Sequence, residues 1–140
     1  KLAECLCEKG ITVLGEKNGF TASHQVLIDV TKYGDGGTLE KELEKANIIV
    51  NRNMIPSDIK AKRHYMHPGG IRIGVQEVTR LGMGPSEMEE IAELLTEVIV
   101  NKKEPIEVAL RVAELRRSFT HVKYAFESPI EAYEYISLKR

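Results

Sequence analysis

A helix predicted between residues 84 and 99 is the feature that most limits the possible folds of this chain. Pro85 suits the first turn of a helix, and the apolar side chains that follow it recur at helical spacing. They are Met88, Ile91, Ala92, Leu95, Val98 and Ile99. One side of this helix is therefore apolar over its whole length, and another layer of the domain must cover it.

Short runs of apolar residues elsewhere predict that this second layer is a sheet. Four of the six residues from Gln25 to Val30 are apolar, which favours a strand covered on both faces. Further strands are predicted at residues 11–14, 48–50 and 70–74, and further helices near Leu2, after Thr38 as the N-cap, from Pro105, and from a capping box at Ser128. The sequence therefore predicts an α/β (α+β) fold, with a small mixed sheet and helices packed mainly on one face.

The composition excludes several classes of protein. The 140 residues are 42% hydrophobic and 29% charged, with a formal net charge of -1, which is typical of one soluble domain. Basic residues are spread along the chain and no apolar run is long enough to span a membrane, so neither nucleic acid nor a membrane is an expected partner. Cys5 and Cys7, two positions apart on a predicted helix, point in divergent directions and suit neither a disulfide nor a metal site, which favours the cytoplasm. Since the chain starts inside a predicted helix without methionine, we expect it to be a piece of a longer protein.

Arg72 is the residue with the clearest functional potential. It lies between two isoleucines in the strand Gly70–Gly74, so the alternation of a strand places it opposite the core-facing side chains. A guanidinium can bind a carboxylate through two parallel hydrogen bonds, and the neighbouring glycines permit close approach. From the spacing alone, however, an exposed ion pair on the surface is favoured over a carboxylate site.

Polar residues follow the predicted strand at residues 48–50. Asn51 and Asn53 could meet the edge of a heterocycle, because an amide both donates and accepts, although asparagines in turns usually bond to their own backbone. Residues 51–70 then predict a long loop over a surface or cleft. His64 and His67 in this loop lack the further ligands that a zinc site needs, so exposed histidines are favoured, and their role and the order of residues 57–68 stay open.

Three segments together resemble the carboxy-terminal domain of serine hydroxymethyltransferase. The first is Ser23–Asp29, which leads into the clearest strand. The second is Ala46–Pro56, similar to the family's Val-Asn-Lys-Asn-x-x-Pro stretch, and the third is the Gly-Ile-Arg-Ile-Gly motif at Gly70–Gly74, followed by the helix up to Ile99. Their order and spacing fit the family from about Thr21 to Leu95.

The resemblance implies a fold type I enzyme that depends on pyridoxal 5'-phosphate, the fold of aspartate aminotransferase. Such an enzyme converts serine to glycine and passes the hydroxymethyl carbon to a reduced pterin, and it works as a homodimer. The family's arginine at the position of Arg72 binds the substrate carboxylate, and the asparagine at the position of Asn53 lies near the pterin. The catalytic lysine and the residues that hold the cofactor belong to a large domain, so the resemblance implies that residues 1–140 are a single carboxy-terminal domain, inactive alone, without cofactor-binding or metal-binding residues.

Two departures from the family pattern leave the carrier open. Pro68-Gly69 replaces a common Thr-Ser, and Val75-Gln76-Glu77 replaces Thr-Pro-Ala, changes that resemble archaeal members. Some of those members use tetrahydromethanopterin instead of tetrahydrofolate. Two alternatives also stay open: another pyridoxal-phosphate enzyme acting on glycine, such as an aldolase or acyltransferase, and a free-standing domain that binds a ligand or a partner.

Overall fold

The computed structural model describes residues 1–123. Along the chain, its helices and strands are α1 (Leu2–Glu8), β1 (Thr12–Val13), β2 (Gln25–Asp29), α2 (Gly36–Lys45), β3 (Asn51–Asn53), α3 (Pro56–Ala61), β4 (Gly70–Gly74), α4 (Gln76–Arg80), α5 (Pro85–Ile99) and α6 (Pro105–Arg117). A short 3-10 helix, Glu16–Asn18, lies in the connection between β1 and β2. The helix predicted from Ser128 lies outside the described residues.

The four strands form one sheet in the order β1-β2-β4-β3. The predicted α/β class with a small sheet is confirmed, but its strands pair antiparallel throughout instead of in mixed directions. β4 lies between β2 and the edge strand β3, with Arg72 opposite Leu27 of β2 on one side and Asn51 of β3 on the other. β4 is therefore held from both sides, whereas the three-residue strand β3 is held from one.

Within residues 1–123, helices α1 and α2 cover one face of this sheet. Val26, Ile28, Ile71 and Ile73 point to the covered face and are buried. α1 and α2 pack on this face of the sheet, and α5 packs against both of them. Leu27 and Asp29 point to the other face and are only half-buried, so the expectation that β2 is covered on both faces is wrong for the described residues. The reason is that Asp29 interrupts the apolar run and returns the strand to alternation.

Two predicted element boundaries are wrong. α2 begins at Gly36 with Asp35 as its N-cap, not after Thr38, because the Asp35 Oδ1 atom accepts from the backbone N–H groups of Gly37 and Thr38 at 3.0 and 3.1 Å. Residues 48–50 form no strand, and the Ile49 side chain is 77% exposed. There the backbone N–H of Ile48 bonds back to the Leu43 carbonyl at 2.8 Å, so this segment closes the helix end before β3 begins.

The helix that most constrained the fold is confirmed as α5, and its one buried carboxyl group is paired. Glu97 accepts hydrogen bonds from Lys103 Nζ at 2.6 Å and forms an ion pair with Arg111 Nη1 at 2.7 Å. Burial opposes ionisation, but these two cations outweigh it and hold the pKa of the Glu97 carboxyl below its usual range. Neither α5 nor any other helix within residues 1–123 is both long and apolar enough to cross a bilayer.

Candidate functional site

The uncovered face of the sheet carries the polar residues singled out in the sequence. Directly opposed residues of antiparallel strands point to the same face, so Arg72 shares this face with Asn51, and Asn53 shares it with Gly70. Diagonal neighbours of this kind lie about 7 Å apart, which places the side chains of Arg72 and Asn53 within reach of one small ligand. We call this region, defined by Asn51, Asn53 and Arg72, the open face.

Arg72 is exposed on the open face as predicted. Its Nη2 atom donates to the Asn51 Oδ1 atom at 3.3 Å, a contact between residues 21 positions apart. Among residues 1–123, four other arginines form ion pairs with carboxylates, whereas Arg72 forms none. The surface ion pair that the spacing favoured is therefore absent from the described part of the chain, and the guanidinium is oriented by a neutral amide.

Asn53 is held by its own turn. Its Nδ2 atom donates to the Met54 carbonyl oxygen at 2.6 Å, the local bond that asparagines in turns commonly make. Within residues 1–123 its Oδ1 atom has no hydrogen-bond partner. The amide therefore has one fixed end and one available acceptor at the end of β3.

Glycine at position 70 lets β3 approach β4 closely. A Cβ atom there would overlap Ile55 Cγ2 and come within 2.8 Å of the Asn53 carbonyl oxygen. This glycine therefore permits close approach, as expected, but the group that approaches is the protein's own segment at and after Asn53 and not a ligand.

The prediction of one long loop over residues 51–70 is wrong, because β3 and α3 both lie within it. The turn that follows α3 lies against the start of α2. There the His67 Nδ1 atom lies 3.1 Å from Asp35 Oδ1. Burial raises the pKa of Asp35, but hydrogen bonds from Thr38 and His67 outweigh burial and lower it below the usual value.

The two loop histidines have separate surroundings. His64 accepts a hydrogen bond from the backbone N–H of Met66 at 3.3 Å, and its ring centre lies 4.4 Å from that of Tyr65. His67 instead faces Asp35. No three side chains of the metal-binding types come together within the described residues.

Two carboxyl groups that bond the chain segments around the open face were not predicted. The Glu40 Oε1 atom accepts from the backbone N–H of Arg52 at 3.0 Å, and its Oε2 atom accepts from Arg52 Nη1 at 2.6 Å. Asp58 is buried beneath the residues that follow Asn53 and precede Gly70. A signal existed for Asp58, because an acid at the third helical position after Pro56 often caps the helix from inside, but nothing local shows that it is buried.

The open face is a surface and not a closed pocket. Cavities of about 360, 450 and 340 Å³ lie elsewhere, and neither Arg72 nor Asn53 lines them. The first cavity lies between residues 47–50 and α6, and it has the most apolar lining of the three. A ligand on the open face would thus need a second surface to enclose it.

Comparisons with known proteins point to one family. The family model described as serine hydroxymethyltransferase matches residues 1–95. Curated relatives with that name include one from Cenarchaeum symbiosum, 56% identical over 99% of this chain, and one from Nitrosopumilus maritimus, 52% identical over 98%. The chain spans 31% of the length of each of these relatives.

A solved structure is similar in three dimensions. It is the L-threonine transaldolase from Pseudomonas fluorescens in its internal aldimine state, which superposes with a TM-score of 0.70 at 34% sequence identity. The match covers 84% of this chain and 26% of the transaldolase chain. The shared architecture is thus a part of a larger pyridoxal-phosphate enzyme in that protein.

Proposed function

This chain belongs to the serine hydroxymethyltransferase family, and on that premise we propose that residues 1–140 are the carboxy-terminal domain of a larger enzyme that interconverts serine and glycine. The hydroxymethyl carbon passes to a reduced pterin, either tetrahydrofolate or tetrahydromethanopterin. The observation that carries this proposal is Arg72, a guanidinium exposed on the open face that forms no ion pair within residues 1–123.

The proposed role of Arg72 is to bind the substrate carboxylate. Two parallel hydrogen bonds from one guanidinium fix both the position and the plane of a carboxylate. The contact with Asn51 Oδ1 restrains the guanidinium before the substrate arrives. Arg72 therefore sets the orientation of the bonds at the amino acid's α-carbon, which decides the bond that can be cleaved.

The open face does not fit the cofactor itself. Pyridoxal 5'-phosphate needs a lysine for its aldehyde and a cradle of donors for its phosphate, whereas the side chains beside Arg72 on the described sheet are Leu27 and Asn51. Its site is therefore proposed to lie in the remainder of the full-length protein. The proposal for residues 1–140 is limited to binding and orientation of the substrate and the carrier.

The family membership also supports a cytoplasmic homodimer as the working form of the full-length protein. A second subunit or the large domain would supply the surface that encloses a ligand on the open face.

Assay of the full-length protein tests the function directly. We expect serine to be converted to glycine with a strict dependence on a reduced pterin, tested separately with tetrahydrofolate and tetrahydromethanopterin. A second candidate, an aldol-type enzyme without a pterin, is favoured by the similarity to the L-threonine transaldolase structure. Cleavage or exchange of hydroxyamino acids that neither pterin accelerates would support this second candidate and contradict the first.

Asn53→Ala in the full-length protein tests the proposed pterin contact. We expect about tenfold weaker binding of the carrier, which corresponds to the loss of about 1.4 kcal/mol from a hydrogen bond, while serine binding stays unchanged. The KM for the pterin at saturating serine and the KM for serine at saturating pterin measure the two effects. Asn101→Ala, an exposed asparagine after α5, is the matched control. An unchanged pterin KM in Asn53→Ala would refute the assignment.

A further inference from the structure

Asp58 joins the two ends of the segment that links β3 to β4. Its side chain is 1% exposed, and its Oδ2 atom accepts from the backbone N–H of Ile55 at 2.9 Å and from that of Gly69 at 2.8 Å. Its Oδ1 atom lies 3.5 Å from Arg63 Nε. One carboxyl oxygen thus holds two backbone amides from opposite ends of the segment.

The two ends that Asp58 joins differ in how firmly the sheet holds them. The Gly69 carbonyl accepts from the backbone N–H of Val30 at 2.8 Å, so Gly69 is anchored to the end of β2. Ile55 follows Asn53 beyond the short edge strand β3, and within residues 1–123 its backbone pairs with no strand, although its side chain packs against Gly70. The hydrogen bonds to Asp58 therefore tie the Asn53 side of the open face to Gly69, which directly precedes the strand that carries Arg72.

The packing around Asp58 depends on the glycine at position 69. A Cβ atom at Gly69 would come within 2.6 Å of Asp58 Oδ1 and 2.7 Å of Thr31 Cγ2. The absence of a side chain at Gly69 thus lets the carboxyl group lie directly against the backbone that leads into β4.

We propose that Asp58 is a positioning residue that sets the place of Asn53 relative to Arg72. This inference rests on the proposed function, because it predicts which of the two ligands depends on Asp58. Arg72 lies on the inner strand β4, which β2 and β3 hold from both sides, so amino-acid binding should tolerate the loss of Asp58. Asn53 lies at the end of the edge strand, so carrier binding should be weakened by the loss of Asp58.

Two substitutions in the full-length protein test this role. Asp58→Ala removes both hydrogen bonds and should weaken carrier binding at least about tenfold, with glycine binding changed less than about threefold. Asp58→Asn keeps one accepting oxygen but turns an NH2 group toward Arg63 Nε, so we expect the same selectivity with about a threefold effect. The measurements are the KM for the pterin that supports wild-type turnover and the dissociation constant of glycine by calorimetry. If Asp58→Ala does not fold, Asp58→Asn decides.

Glu97→Gln is the matched control. Glu97 is also a buried carboxyl group with cationic partners, but it lies on α5 among Lys103 and Arg111, away from the open face. We expect it to lower thermal stability without separating the two binding constants. Equal loss of pterin and glycine binding in the Asp58 variants would reduce Asp58 to a structural residue, and wild-type pterin binding would overturn the inference. A wild-type protein without pterin-dependent turnover would instead contradict the proposed function.

Discussion

Full-length protein carrying Arg72→Ala should bind glycine and serine at least about a hundredfold more weakly than the wild type. Each hydrogen bond to a charged group contributes about 1.5–3 kcal/mol, and Arg72 is proposed to donate two of them to the carboxylate. A loss of about 2.7 kcal/mol already corresponds to a hundredfold change in affinity. Among the described residues no other cation lies beside Arg72 on the sheet to replace it, since its cross-strand neighbours are Leu27 and Asn51. The measurement is the spectral change on addition of glycine, which we expect to disappear.

Two further variants separate geometry from charge. Arg72→Lys keeps the positive charge but loses the planar pair of donors, so it should recover only part of the affinity. Arg116→Ala, at the end of α6, removes a guanidinium that donates to the Phe119 carbonyl and should leave glycine binding unchanged. An intact response to glycine in Arg72→Ala would mean that another group holds the carboxylate.

The sequence predicted those helices and strands whose limits are determined by interactions between residues close along the chain. Pro85 and the apolar stripe gave the limits of α5, and Pro105 gave the start of α6, because a missing N–H and a one-sided apolar pattern act within a few residues. The alternation around Arg72 likewise predicted which side of β4 is buried. The prediction of a strand at residues 48–50 failed because apolar side chains also occur in segments that connect a helix end to a sheet edge. In such a segment hydrogen bonding decides the conformation.

The candidate site was predicted only in part, for reasons of distance along the chain. Arg72 and Asn53 were singled out from the residues themselves, and the resemblance to the family gave them roles. The contact between Arg72 and Asn51, however, depends on strand pairing that spacing cannot show. Asp58 and Glu40 were missed because the sequence alone does not show whether an acidic residue is buried or exposed. Their importance follows from the backbone amides that they meet, and those are fixed only when β3 lies beside β4.

Under the proposed function, the open face supplies one half of a site whose other half lies in the remainder of the full-length protein. A sheet buried on one side by α1, α2 and α5 is a stable support for side chains on its other side. The backbone position of Arg72 is set by the pairing of β4 with β2 and β3. In the proposed enzyme, a second surface then needs only to bring the reactive groups to the carboxylate that Arg72 is proposed to bind.

Gly70→Ala should lower both the stability of the protein and its affinity for the pterin, because it separates the two strands that carry the proposed site. The added methyl group would overlap Ile55 and crowd the Asn53 carbonyl oxygen, which is backbone and cannot rotate away. Overpacking of this kind costs about 1–3 kcal/mol of folding free energy, and relief by displacement of β3 would also move Asn53. Thermal unfolding and the KM for the pterin measure the two consequences.

Gly74→Ala is the matched control, since it places the same methyl group at the other end of β4. There the nearest atoms belong to the far end of the Gln76 side chain, at 2.6 Å from the added Cβ, and that side chain can turn aside. We expect wild-type pterin KM and a loss of less than about 1 kcal/mol in Gly74→Ala. If Gly70→Ala behaved like Gly74→Ala in both measurements, close packing of β3 on β4 would not be what positions Asn53.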